Sequence, residues 1–290
     1  MIETGEPQTY DTTRCLLGEG AFFHPQRGQL FWCDILSKRV LSRIDGALRD
    51  WTFDRHVSCM GWVDHDTLLV ATDTDLMLLN IETGSHTHLC DLEADKPANR
   101  PNDGRADPQG GFWISTMGLE KGVGDGALYR FYKGELRKLK GGMSIANAIC
   151  FTPDGTTAFF ADTPAQMIMQ WRLDGDGWPV GQAETWLDLR GTPYHPDGAV
   201  CDADGNLWSA QWGNSRVAVY GPDATQLHVV NLPALQTTCP AFGGPDLSTL
   251  FVTSAAVGID EPIIATEDGH GRTFRVETNA TGQAEHRILL

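Results

Sequence analysis

Residues 145–155 read IANAICFTPDG and residues 195–205 read HPDGAVCDADG; in each, an amide or a carboxylate (Asn147, Asp197) stands eight positions before the glycine of a polar turn. A polar turn followed by a strand of apolar and aromatic residues recurs along the chain. The copies are HPQRGQLFWCDI from His24, DHDTLLVATD from Asp64, DPQGGFWISTM from Asp107, TPDGTTAFFAD from Thr152, DADGNLWSAQW from Asp202 and GPDLSTLFVTSA from Gly244. Each is followed by a second strand and a further turn: RVLSRIDG, LMLLNIETG, ALYRFYKG, MIMQWRLDGDG, RVAVYGPD and RTFRVETNATG. Counted from Pro25, Asp64, Asp107, Pro153, Asp202 and Pro245, the intervals are 39, 43, 46, 49 and 43 residues. That period suits a four-stranded blade, and a fixed repeat decides the architecture before any single element does. Glycine and Asp/Asn turns joining β-branched and aromatic runs are hairpin chemistry, and no segment sustains a 3.6-residue apolar stripe. The spacing predicts an all-β protein, a six-bladed β-propeller formed by residues 1–290 as one domain.

Composition agrees. The chain has 41% hydrophobic and 21% charged residues, enough apolar material for a large core. Its 32 glycines exceed the roughly 20 expected at average usage, and with 15 prolines they imply many turns. A formal net charge of −16 repels nucleic-acid phosphates and anionic lipid. The densest basic run, KGELRKLK at 133–140, includes a glutamate and reads as a solvated hairpin. The first thirty residues lack a basic start followed by an apolar region, and no stretch approaches the about 18 apolar residues of a membrane span. A cytoplasmic protein is the expectation, with no nucleic-acid or membrane partner, as a monomer or weak oligomer. The seven cysteines form no C-x-x-C pair and sit mostly in apolar runs, which predicts buried free thiols.

In a propeller the innermost strand of every blade lines a central channel, so equivalent positions converge on the axis. Position −8 from the turn glycine is Asn102 before Gly110, Asn147 before Gly155 and Asp197 before Gly205. In the first blade Glu19 stands nine before Gly28, and a one-residue difference in the turn brings it into the ring; the other blades offer Ser58 and Cys239. Two carboxylates facing each other across a buried channel repel and lose hydration. A cation removes that difficulty. Glu19, Asn147 and Asp197 form an all-oxygen set suited to one hard divalent ion, with coordination positions left open as catalysis needs.

These local motifs resemble a known family. LLGEGAFF around Glu19, RPNDGRADPQGGFWISTM from Arg100, SIANAICFTPDG around Asn147 and PDGAVCDADGNLWSAQW around Asp197 are similar to the gluconolactonase and senescence-marker-protein (regucalcin-like) family, as are CPAFGGPDLSTLFVTSA and HGRTFRV. The resemblance implies a six-bladed propeller with one catalytic divalent metal (Ca, Mg, Mn, Zn or Fe(II)) and hydrolysis of sugar lactones. Position by position it implies Glu19, Asn147 and Asp197 as metal ligands and Arg100, Asn102 and Glu120 as substrate contacts. Ala21 and Phe23 stand where the family usually shows Pro and Trp, and Ser115 where Gly precedes the Thr-Met pair.

Asp197 is the candidate general base. The alternatives are a phosphotriesterase-like hydrolase on a similar propeller and a non-enzymatic calcium-binding propeller. His195 and Tyr194 lie just before Asp197 at the expected channel mouth. His86 and His88 in SHTHL share a strand face without a third ligand and read as solvent-facing. No Ser-His-Asp arrangement, P-loop or dinucleotide fingerprint is identifiable.

Overall fold

The computed structural model describes residues 1–290. Six four-stranded antiparallel sheets surround a central channel. Their innermost strands, in chain order, are Gly18–His24, Val57–Trp62, Asn99–Ala106, Ala146–Phe151, His195–Cys201 and Gln236–Gly243. The first five blades are built from consecutive strands. The sixth runs from Gln236–Gly243 through Thr249–Ala255 and Thr273–Glu277, and its outermost strand is Gln8–Asp11 from the N-terminus. Gln8 pairs with Arg275 and Thr9 with Phe274, so the ring is closed by its own two ends. Asp11 adds an ion pair to Arg43 of the first blade.

The core is not at the axis. Six apolar clusters lie between successive blades, each drawing residues from two adjacent sheets. One wedge joins Phe22, Phe31 and Trp51 of the first blade to Met60, Leu68 and Leu79 of the second. A sheet covered on both faces has no polar face, which is why inner strands such as Gly18–His24, Val57–Trp62 and Ala146–Phe151 are buried at every position whereas an outer strand such as Ala47–Thr52 is largely exposed. The basic run ends in the outer strand Glu135–Met143, with Lys133 and Gly134 in the hairpin turn. All seven cysteines are free thiols, six of them buried.

The repeated turn has a physical cause visible twice. Asp107 Oδ1 accepts the N–H groups of Gln109 (3.0 Å) and Gly111 (2.8 Å), and its Oδ2 accepts the indole N–H of Trp113 (3.1 Å). Asp202 does the same for Asp204 (3.0 Å), Asn206 (2.8 Å) and Trp208 (2.9 Å). One carboxylate thus ties the turn to a fully buried tryptophan in the next strand.

These turns lie at one end of the channel, and the C-terminal segment crosses that end. Ala203 N–H donates to Thr281 O, the Gln283 amide to Phe151 O and Cys201 O, Ile288 N–H to Trp62 O and Leu289 N–H to Gly110 O. Glu285 pairs with the buried Arg105 guanidinium, and Ile288 is buried against the second and third blades. Only the opposite end, where the inner strands begin, remains open.

Asp202→Ala leaves the Trp208 indole N–H and two turn N–H groups without an acceptor. The expected cost is about 1–3 kcal/mol for the buried indole N–H alone, read as a lowered urea midpoint. An unchanged midpoint would contradict the role given to this carboxylate.

Candidate active site and metal centre

Each inner strand carries a register shift near its open end. In four blades it falls between Glu19 and Phe22, Pro101 and Gly104, Asn147 and Cys150, and Pro196 and Ala199. A bulge inserts one residue, bends the strand and re-aims the side chains beside it. In the first blade it contains Gly20 at φ +58°, where an added Cβ would stand 2.4 Å from the Ser58 carbonyl oxygen. Only glycine fits beside Glu19. Counted back from the last paired residue of the strand, Asn102, Asn147 and Asp197 stand four positions before Ala106, Phe151 and Cys201, and Glu19 stands five before His24. The offset counted from the first turn is therefore present, and it lies within the strand itself.

Glu19, Asn102, Asn147 and Asp197 line one cavity of about 220 Å³ together with Arg100. All five are buried. Exposed Leu36, Leu119 and Lys121 form the rim, and Met117, Ile145 and Trp212 contribute apolar wall between rim and floor. Glu120 is exposed on the rim loop; its neighbours Leu119 and Lys121 line the cavity and it does not. Ser58 and Cys239 are buried and lie outside the cavity lining, and so do the half-buried His195 and Tyr194; the Tyr194 ring is covered by the Arg216 guanidinium at 3.6 Å. His86 and His88 are exposed on an outer strand, where His88 bonds Asp75.

A directed chain of hydrogen bonds crosses three blades at the floor. Arg100 donates to Asn102 Oδ1 (2.9 Å) and to Pro101 O (2.7 Å). The Asn102 amide donates to Asn147 Oδ1 (3.1 Å) and to Ala146 O (3.1 Å). The Asn147 amide donates to Thr163 Oγ1 (2.9 Å), which in turn donates to Pro196 O (2.8 Å). Each amide orientation follows from its neighbour, because a guanidinium only donates and a carbonyl only accepts. Asn147 Oδ1 receives one N–H and keeps a second lone pair.

Glu19 accepts one N–H, from Gly20 at 3.0 Å. Burial and the neighbouring Asp103 carboxylate push its carboxyl up to about 8, and burial with the repulsion of Glu19 raises Asp197 well above the usual carboxylate range. Arg100 faces both but is itself buried and engaged. Two desolvated carboxylates, a carbonyl oxygen with a free lone pair and a shortage of positive charge form a donor set that fits a hard divalent cation. No group of three His, Cys, Asp or Glu side chains is placed to share an ion, so a third side-chain ligand here would be an amide such as that of Asn147.

Sequence reasoning missed Thr163, Asp103 and the apolar wall. Thr163 starts a short turn after a second strand, on the same open face as the loops that precede the inner strands. That placement follows from blade connectivity, but no residue pattern announces it.

The raised Glu19 carboxyl has a pH consequence in chelated protein. Its folded value of about 8 lies above the roughly 4.3 of an unfolded chain. The folded state therefore holds the extra proton between these values, and stability on this account falls as pH rises through the window. The melting temperature of chelated wild type should fall more steeply from about pH 5 to 8 than that of Glu19→Gln. Equal slopes would show that Glu19 carries no such burden.

Residues 17–256 match the SMP-30/Gluconolactonase/LRE-like region. The chain is 33% identical to an L-arabinolactonase from Azospirillum brasilense, over 98% of this chain and 96% of the other. It is also 33% identical to a pentonolactonase from Haloferax volcanii, over 95% of each. The crystal structure of a calcium-binding protein, regucalcin, from Agrobacterium tumefaciens superposes with a TM-score of 0.96 at 38% identity, covering 99% of this chain and 98% of that one. By sequence and by fold, the chain belongs to the SMP-30/gluconolactonase/LRE-like family.

Proposed function

We propose that the protein hydrolyses a sugar lactone to the aldonic acid in this cavity, with one divalent ion held by Glu19, Asn147 and Asp197. The observation that supports this reading is that Glu19, Asn147 and Asp197, from three different blades, line one cavity with their oxygen-bearing side chains. The lactone substrates for which the relatives are named support the choice of ester over phosphotriester.

When bound, the ion supplies a Lewis acid for the lactone carbonyl. The rest falls to side chains. Asp197 accepts the proton of the attacking water at a carboxylate oxygen, and the ring oxygen takes it back as the carbon–oxygen bond breaks. An acid that holds its proton in the bare site loses it to an ion, so loading should release protons. Arg100 has guanidinium N–H groups beyond those bound to Pro101 and Asn102, and these donate to the substrate's oxygens. Asn102 acts at the floor by holding Asn147 as well as by meeting the sugar. Glu120 stands on the rim and reaches the substrate from the mouth. The apolar walls cover the C–H faces of the ring and exclude water from the reacting ester.

Chelated protein is expected to lose lactone hydrolysis, followed in a pH-stat with the spontaneous rate subtracted, and to regain it with one divalent ion per chain. A panel of pentono- and hexonolactones with a phosphotriester control tests the substrate class. Full activity after rigorous chelation, or turnover of the phosphotriester alone, would overturn the proposal.

Asp197→Asn retains an oxygen ligand but cannot act as a base near neutral pH. At saturating ion its kcat should stay lower than wild type by about 10²–10⁴. Wild-type kcat at saturation would reduce Asp197 to a ligand.

A further inference from the structure

Asp103 is a buried carboxylate directly after Asn102, and no step above uses it. It lies beneath the floor. Its Oδ1 accepts the N–H of Gly104 (2.8 Å) and its Oδ2 the N–H of Ile149 (2.8 Å), the second bond crossing from the third blade to the fourth. Its own N–H donates to Ser115 Oγ (2.8 Å), and that hydroxyl donates to Ala146 O (2.8 Å), again in the fourth blade. Ser115 is completely buried. These bonds take hold of the fourth inner strand on both sides of Asn147: at the Ala146 carbonyl before it and at the Ile149 N–H after it.

Between those two points the backbone is irregular. The register shifts between Asn147 and Cys150, and Ala148 adopts φ +55°, a left-handed conformation that a residue with a Cβ enters at a cost. A bulge with a left-handed alanine persists only when surrounding bonds hold it. Asn102 also holds the Ala146 carbonyl, but the Ile149 N–H bonds to Asp103 alone among side chains. Ser115 occupies the position where the sequence motif departs from its usual glycine, and a glycine has no hydroxyl to bridge Asp103 to Ala146.

We infer that Asp103 and Ser115 are positioning residues that clamp the Ala146–Ile149 bulge and so preset Asn147 as a ligand of the divalent ion. This rests on the metal assignment above. The clamp spans two blades, so it also fixes the distance between Asn102 and Asn147. The ordering of the ligand is then present before the ion arrives, which is how outer partners raise the affinity of a metal site.

The test uses Asp103→Asn and Ser115→Ala in the full-length protein, with Ca²⁺ affinity by calorimetry and bound-water number from Tb³⁺ luminescence lifetimes in H₂O and D₂O. Asp103→Asn should weaken Ca²⁺ binding by about 10- to 100-fold, the range for loss of a partner outside the ligand set. Ser115→Ala changes no charge, so weakening there by roughly 10-fold separates positioning from lost negative potential. In both variants Tb³⁺ should gain one bound water as Asn147 leaves. In chelated protein the Ile149 amide should exchange faster in Asp103→Asn, a readout that involves no ion. If Asp103→Asn does not fold, Ser115→Ala decides alone. Wild-type Ca²⁺ affinity and hydration number in a folded Ser115→Ala would overturn the inference. A wild type that binds neither ion would instead overturn the metal assignment on which it rests.

Discussion

Two carboxylates, Glu19 and Asp197, meet inside a ring of sheets, and neither has a cation of its own in contact. That concentration of buried negative charge is the constraint around which the site is arranged. The apolar residues are used up in six wedges between blades, which leaves the inner edges to polar and small groups. The Arg100–Asn102–Asn147–Thr163 chain then fixes the orientation of the Asn147 amide, the neutral member of the proposed ligand set. Removing a charge from water is costly unless it is paired, so the ring holds an electrostatically unbalanced centre, and the proposed divalent ion rests on that imbalance.

The two ends of the channel have different tasks. At one end the turns are locked by Asp107 and Asp202 and crossed by the C-terminal segment, with Glu285 on Arg105 and Ile288 packed beneath. At the other, longer loops form a rim of mixed leucine and charge. Substrate and product share a single opening, and rigidity at the closed end keeps the inner strands in register while the rim is free to differ in sequence. Under the proposed function the ion would be held from the inner strands, and the sugar would be met both by strand residues Arg100 and Asn102 and by the rim.

Turn chemistry made the blades legible in the sequence: an aspartate that gathers three N–H groups leaves the same Asp-x-x-Gly signature at Asp107 and Asp202. Fixed spacing before the turn glycines made Asn102, Asn147 and Asp197 legible as one level. Glu19 was visible only with an offset, because it stands five positions before the last paired residue of its strand where the other three stand four. The outer strand Gln8–Asp11 carried no signal, since its partner Arg275 lies 267 residues away and four residues of edge strand have no pattern of their own. Asp103 was hidden for the opposite reason. In PNDG it reads as an ordinary turn residue, and only the neighbouring blade reveals it as a buried acceptor.

The most direct measurement is long-wavelength anomalous diffraction from crystals grown with Ca²⁺. The account predicts one strong peak in the channel, about 2.3–2.6 Å from a carboxylate oxygen of Glu19, a carboxylate oxygen of Asp197 and the amide oxygen of Asn147. A peak bound only by other residues, or an empty channel at saturating Ca²⁺, would contradict it.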